Sequence, residues 1–142
     1  MTTVRHILQE KGAAVWTVPP DASVRDAVKM MDKNDVGLLV IVNGDDLVGI
    51  VSERDIARKV ILKEKSSDTT PVKDIMTTDV VTIAPGQSID ECMALMTGKH
   101  IRHLPVMDGK KLAGLISIGD VVKATIIEKE QLIKELQNYI SG

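Results

Sequence analysis

A chain of 142 residues, 44% of them hydrophobic, accommodates one domain-sized body or two half-domains sharing a core. Its net charge of −2 with scattered Lys and Arg leaves no basic footprint for nucleic acid, and with Phe absent and Trp16 and Tyr139 the only aromatic residues there is no base-stacking platform. The single Cys92 excludes an internal disulfide and a thiolate zinc cluster, no apolar run reaches membrane length, and no signal or transit pattern is present, so the cytoplasm is the expected location.

In chain order, a short helix is expected over Thr3 to Lys11, then an extended segment from Ala14 to Val18 that Pro19-Pro20 breaks. Ser23-Val24-Arg25-Asp26 reads as a helix start, a serine cap with an acid three residues on, and Val24, Ala27, Val28 and Met31 form the stripe to be buried. Two apolar strands follow, Gly37 to Val42 and Leu47 to Val51, joined by Asn43-Gly44-Asp45-Asp46; Asn-Gly tolerates the positive φ of a tight hairpin. A helix from about Arg54 to Lys63 comes next, and the polar stretch after it reads as a linker too short to let the two halves separate far.

The same order then returns. A helical turn spans Pro71 to Met76, an extended segment Val80 to Ile83 ends at Pro85-Gly86, and Ser88-Ile89-Asp90-Glu91 opens a helix burying Ile89, Cys92, Met93 and Met96. Cys92 is read there as a small buried hydrophobe rather than a nucleophile. Strands His103 to Met107 and Lys111 to Ser117 are joined across Asp108-Gly109, and a helix runs from about Asp120 onward. Along that last helix Val122, Ile126, Lys129, Ile133, Leu136 and Ile140 fall at alternating steps of four and three, an apolar seam broken only by Lys129. The seam reads either as a helix capping its own domain or as a homodimer contact; extending past the repeat, it favours the dimer.

The two halves match at a constant shift of 65 positions: Thr17/Thr82, Pro20/Pro85, Ser23/Ser88, Met31/Met96, Leu39/Leu104, Gly44/Gly109 and Leu47/Leu112. Gly49-Ile50-Val51-Ser52-Glu53-Arg54-Asp55-Ile56 likewise returns as Gly114-Leu115-Ile116-Ser117-Ile118-Gly119-Asp120-Val121. A tandem repeat of this length means two copies of one β-α-β-β-α unit. The expected fold is α/β (α+β): two pseudo-symmetric repeats packed sheet to sheet, with a long C-terminal helix. The expected organisation is repeat 1 over 1–62, a linker over 63–71, repeat 2 over 72–124 and a helical extension over 125–142.

This doubled pattern, with Gly-hydrophobic-hydrophobic-Ser-x-x-Asp in each copy, Leu104-Pro105-Val106 after Arg102-His103 and Ile75-Met76-Thr77 opening the second copy, resembles the cystathionine-β-synthase (CBS) domain pair. The resemblance runs from about Val4 to Lys123 and is closest to short stand-alone CBS-pair proteins, which also carry Ser-Glu-Arg-Asp in the first copy and Ser-Ile-Gly-Asp in the second. It implies a non-catalytic sensor with two clefts for adenosine-containing ligands, AMP, ADP, ATP, NAD(H) or S-adenosylmethionine, acting on a protein partner the sequence does not name. It also implies that each cleft borrows the early strand of one copy and the Ser-x-x-Asp turn of the other. One cleft then combines Ala14, Val15, Trp16, Val36 and Gly37 with His103, Leu115, Ser117 and Asp120; the other combines Val80, Val81, Ile101 and Arg102 with Leu38, Ile50, Ser52, Arg54 and Asp55.

The residue types suit that chemistry. A carboxylate accepts two hydrogen bonds from the cis hydroxyls of a ribose, which is the role expected of Asp55 and Asp120. Ser-x-x-Asp is equally a helix cap worth about 1 kcal/mol; read from the residues alone the cap is favoured, with the resemblance the site is, and the two roles are compatible. Ser23/Asp26 and Ser88/Glu91 are expected to cap and nothing more. In the family the place of His103 often holds a basic phosphate contact; its counterpart Leu38 cannot serve, and Arg54 with Arg58 is expected to compensate. His6 and His100 are expected on the surface. No carboxylate or cysteine cluster points to a metal, and an enzyme is not expected, since the chain has no nucleophile–base pair at useful spacing and no glycine-rich dinucleotide fingerprint. The remaining alternative is a structural dimerisation adaptor with empty clefts.

Overall fold

The computed structural model describes residues 1–141. The chain forms two compact units: Met1–Ala14, Thr82–Gly109 and the chain from Ala113 on make one, and Val15–Val81 with Lys110–Leu112 makes the other.

In the unit that holds the first copy, the sheet order is β1 (Thr17–Val18), β2 (Leu38–Asn43), β3 (Asp46–Ser52). β1 pairs parallel with β2, Thr17 opposite Val40, and β2 pairs antiparallel with β3 from Leu38–Ser52 to Asn43–Asp46. The hairpin turn holds Gly44 at φ +64°, the left-handed region that Asn-Gly signalled. Four consecutive residues of β2, Leu38 to Ile41, are buried, so both faces of this strand are covered. Helix α2 (Val24–Asn34) starts on Ser23, whose Oγ accepts the Asp26 N–H at 3.1 Å, and ends on Asp35 in the left-handed conformation. It delivers Val24, Ala27 and Met31 to a core with Leu39, Ile41, Val51, Ile56, Val60, Val72 and Ile75. Val28, expected on that stripe, is instead 41% exposed; the buried face of α2 is narrower than its apolar pattern.

Two further expectations need correction here. In place of one helix from Arg54 to Lys63, a short α3 (Glu53–Ile56) gives way to a π-helical turn over Ala57–Ile61, with the Leu62 N–H reaching back five residues to the Ala57 carbonyl at 3.0 Å. The strand expected over Ala14 to Val18 shortens to Thr17–Val18. The turn Val72–Asp74 is 3₁₀, and Thr77 pairs with Ile50 on β3 through N–H···O bonds of 2.8 and 3.0 Å. Next to that pairing Gly49 lies so close beneath Met76 that an added Cβ would come within 2.6 Å of the Met76 sulfur and 3.0 Å of the Thr77 carbonyl oxygen.

The other unit is built from α1 (Val4–Lys11), α4 (Ile89–Lys99), β4 (His103–Asp108), all of β5 (Lys111–Ser117) but its first two residues, and α5 (Ile118–Ser141). Ser88 Oγ caps α4 by accepting the Glu91 N–H at 3.1 Å, and Gly109 repeats the turn conformation of Gly44 at φ +63°. Val80 to Ile83 is not a strand; only Ile83 makes a bridge, to Val106. The reason lies at Pro105. It stands where Val40 stands in the first copy, and Val40 donates its N–H to the Trp16 carbonyl at 3.2 Å, whereas proline has no N–H to give. Helix α1 docks here: Val4 N–H donates to the Gln87 carbonyl at 2.9 Å, Ile89 N–H to the Thr2 carbonyl at 3.1 Å, and Leu8 fills the space over Gly114, where a Cβ would meet its Cδ2 at 2.7 Å. Val4, Ile89, Met96, Leu104, Ile116 and Val121 are buried. Among the described residues no helix is long and apolar enough to cross a membrane.

The two environments of glycine give a direct check. Gly49→Ala is expected to lower stability by about 1–3 kcal/mol, the cost of overpacking a closed contact. Gly98→Ala, on α4 with nothing within 4 Å of its added Cβ, is expected to raise it by about 0.5–1 kcal/mol. Urea denaturation of both variants reads the difference, and equal effects would contradict the close approach at Gly49.

Candidate functional site

Each copy ends its hairpin on a serine and turns directly into a helix. In the first, the Ser52 N–H and Oγ–H both donate to Asp55 Oδ2 at 3.1 Å, while Ser52 Oγ accepts the Asp55 N–H at 3.1 Å. Lys59, one helical turn on, donates from 3.1 Å to Asp55 Oδ1 and from 2.9 Å to the Ile75 carbonyl. The carboxylate is therefore bonded on both oxygens and is 16% exposed.

The second turn repeats the backbone half of this arrangement and changes the cation. Asp120 Oδ2 accepts the Ser117 N–H at 2.8 Å, and Ser117 Oγ accepts the Asp120 N–H at 3.2 Å. Here the ammonium comes from far away in sequence. Lys11, at the end of α1, lies 2.7 Å from Asp120 Oδ2 and 2.9 Å from the Leu115 carbonyl. Asp120 is 24% exposed. Burial pushes its carboxyl up, but the Lys11 hydrogen bond, the Ser117 N–H and the Lys11 charge outweigh it, so the group ionises below the usual aspartate range. His103 at the start of β4 is lowered as well: burial first, then Lys11 and Arg102, hold it below the ordinary histidine value, against the pull of Asp120. Lys11, Arg102, His103 and Asp120 thus share one electrostatic neighbourhood.

The remaining expected residues fall as follows within their own units. Leu38 is buried at the head of β2 and Ile50 is half-buried in β3, bonded to Thr77; Leu115 is half-buried in β5 and offers its carbonyl to Lys11. Arg54 is exposed on α3, and Arg102 is exposed, its carbonyl accepting the Ile118 N–H at 2.8 Å as α5 begins. Val36 and Gly37 line an open groove of about 580 Å³ with Val28, Met31, Glu53 and Ile61. Trp16 is 45% exposed and Ala14 is exposed, while Val15, Val80, Val81 and Ile101 are half-buried. His6 and His100 are exposed; His6 Nδ1 accepts the Thr3 N–H at 3.0 Å. Ser23 and Ser88 act as caps. Cys92 is fully buried, and burial together with the Glu91 charge pushes its thiol up to about 11, which keeps it a neutral packing group. Among the described residues no group of three or more His, Cys, Asp and Glu is placed to hold a metal.

Sequence reasoning missed both lysines. Lys59 was legible, four residues beyond an aspartate on one helix; Lys11 was not, since only the docking of α1 brings it to Asp120.

A depressed histidine has a definite sign in stability. The unfolded chain takes up a proton below about pH 6.5, the folded chain resists it at His103, and stability falls as pH drops through that value. His103→Leu, which installs the residue of its counterpart Leu38, is expected to flatten the loss of melting temperature between pH 7.5 and 5. Parallel curves for the two proteins would contradict the buried, cation-flanked placement of His103.

The family model described as the CBS domain matches residues 4–62 and 72–126. The chain is 39% identical to the mitochondrial CBS domain-containing protein CBSX3 of Arabidopsis thaliana, over 99% of this chain and 73% of that protein. A solved protein with CBS domains from Burkholderia ambifaria superposes with a TM-score of 0.85 at 54% identity, covering 89% of this chain and 95% of that one. The CBS domain pair of protein MJ0100, solved in complex with 5-methylthioadenosine and S-adenosyl-L-methionine, superposes with a TM-score of 0.78 at 25% identity, over 90% of this chain and 98% of that one. Two matched repeats, the doubled Ser-x-x-Asp turn and full-length similarity lead to one conclusion: this chain belongs to the CBS-domain family.

Proposed function

We propose that the chain is a non-catalytic regulatory module that binds an adenosine-containing ligand at its Ser-x-x-Asp turns and passes occupancy on to a partner protein. The observation that carries this reading is the state of the two carboxylates. Asp55 and Asp120 sit at matching turns, largely covered yet still reachable, and each holds a lysine ammonium that polar ligand atoms can replace. A ribose presents two neighbouring hydroxyl donors, the complement such a carboxylate takes. The bound adenosine compounds of the MJ0100 pair support the same ligand class. AMP, ADP, ATP, NAD(H) and S-adenosylmethionine all contain the required sugar. Regulation further requires that the ligand bind two conformations or assembly states of the protein unequally.

The long helix supports a second element of the reading, a homodimer. Beyond its first turns α5 leaves Ile126 53%, Ile133 54%, Leu136 53% and Ile140 83% exposed along one seam, and two copies of such a seam are complementary to each other. The same seam favours the alternative reading, a dimerisation adaptor whose Ser-x-x-Asp turns serve only as caps.

Titration separates the two. Each of AMP, ADP, ATP, NAD, NADH and S-adenosylmethionine is added to the purified chain while the melting temperature is followed. At least one is expected to raise it, because a ligand that binds only the folded state stabilises by mass action. Asp120→Ala and Asp55→Ala are each expected to reduce the response, and the double variant to abolish it. No response to any of the six favours the adaptor. In sedimentation velocity the wild type is expected to run as a dimer and Ile133→Asp/Leu136→Asp as a monomer; an unchanged mass would contradict the seam.

A further inference from the structure

Matching positions in the two copies carry different chemistry above the same turn. The two docking segments match on their hydrogen bonds at a shift of 68, Val4 and Val72 donating to the Gln87 and Ala22 carbonyls, so that Leu8 corresponds to Met76 and Lys11 to Asp79, while Leu115 corresponds to Ile50 at the shift of 65. In the first copy the Ile50 carbonyl accepts a backbone N–H, from Thr77 at 2.8 Å, and neutral Met76 covers Gly49. In the second copy the Leu115 carbonyl accepts the Lys11 ammonium at 2.9 Å, and that same ammonium reaches Asp120 at 2.7 Å. Leu8, packed on Gly114, sets the register of α1 that delivers it. Lys11 is thus no loose surface lysine. It is held by one backbone oxygen and one carboxylate, and its side chain stays 36% exposed.

From this juxtaposition we infer that Lys11 is a specificity-determining residue of the Asp120 turn, holding the phosphate of an anionic nucleotide while Asp120 takes the ribose. The inference rests on the ligand reading above and adds to it the charge of the ligand. An ammonium already balanced by one carboxylate is satisfied only while that carboxylate is free; when ribose hydroxyls take up Asp120, Lys11 needs a new anion, and a phosphate within reach supplies it. Arg102, whose charge acts on the same His103 that the Lys11 charge does, adds to it. The Asp55 turn is arranged differently. Its cation, Lys59, is anchored between Asp55, four residues before it, and the Ile75 carbonyl, and the counterpart of Lys11 is the acidic Asp79.

The test uses the full chain with Asp55→Ala, so that only the Asp120 turn remains, and calorimetric titration with two probes, AMP and adenosine. With Lys11 in place AMP is expected to bind about tenfold or more tighter than adenosine, the scale of one hydrogen bond to a charged group. Lys11→Met is expected to bring that ratio several-fold closer to one, with adenosine affinity held or raised, and Lys11→Arg to restore it. A ratio that Lys11→Met leaves unchanged, or an equal loss for both probes, overturns the inference and leaves Lys11 as a brace for α1. Binding of neither probe in an Asp120-dependent way overturns the ligand reading and the inference together. If Asp55→Ala melts below the working temperature, Asp55→Asn, which keeps a capping oxygen, replaces it.

Discussion

A carboxylate bonded back to the N–H of the serine three residues before it fixes the place where each hairpin becomes a helix. That reciprocal bond satisfies donors a helix start leaves open and directs the acid across the mouth of the turn rather than into solvent. Such an acid is costly to cover without a counter-charge, and the chain supplies one lysine to each, at 3.1 and 2.7 Å. On the proposed reading, cap and site are therefore one construction. The turn needs the acid to begin the helix, and the acid, once held there, is available to any ligand that offers better donors than an ammonium.

The two copies reach this arrangement by different means, and the differences follow from single residues. Lys59 comes from the helix that its own aspartate opens; Lys11 arrives on α1 by way of Leu8 seated over Gly114. Val40 donates a ladder hydrogen bond that Pro105 lacks, so the first copy has a third strand and the second a lone bridge. Glycine at 49 and at 114 leaves room for a different side chain in each copy, sulfur in one and an isobutyl group in the other. The two copies thus carry the same turn in two unequal settings.

What could be read from the residues was whatever depends on neighbours in the chain. The hairpins followed from Asn43-Gly44 and Asp108-Gly109, whose glycines adopt φ +64° and +63°, and the caps followed from Ser-x-x-acid. The repeat itself revealed the fold, because one unit recognised twice needs no long-range information. What could not be read depends on packing. The π turn at Ala57–Ile61 has no local signal; Val28 belongs to the apolar stripe of α2 but not to the face the sheet covers. Lys11 lies 109 residues from Asp120, and no pattern within either segment links them. The proline effect at 105 was visible in principle, since the missing donor is a property of the residue, but it emerges only when the second copy is aligned on the first.

A crystal structure of the full chain grown with AMP tests the central claim most directly. The account predicts the two ribose hydroxyls within hydrogen-bond distance of an aspartate carboxylate at a Ser-x-x-Asp turn, with the lysine displaced from that acid. Nucleotide bound elsewhere, with Asp55 and Asp120 still joined only to their serines and lysines, would contradict it.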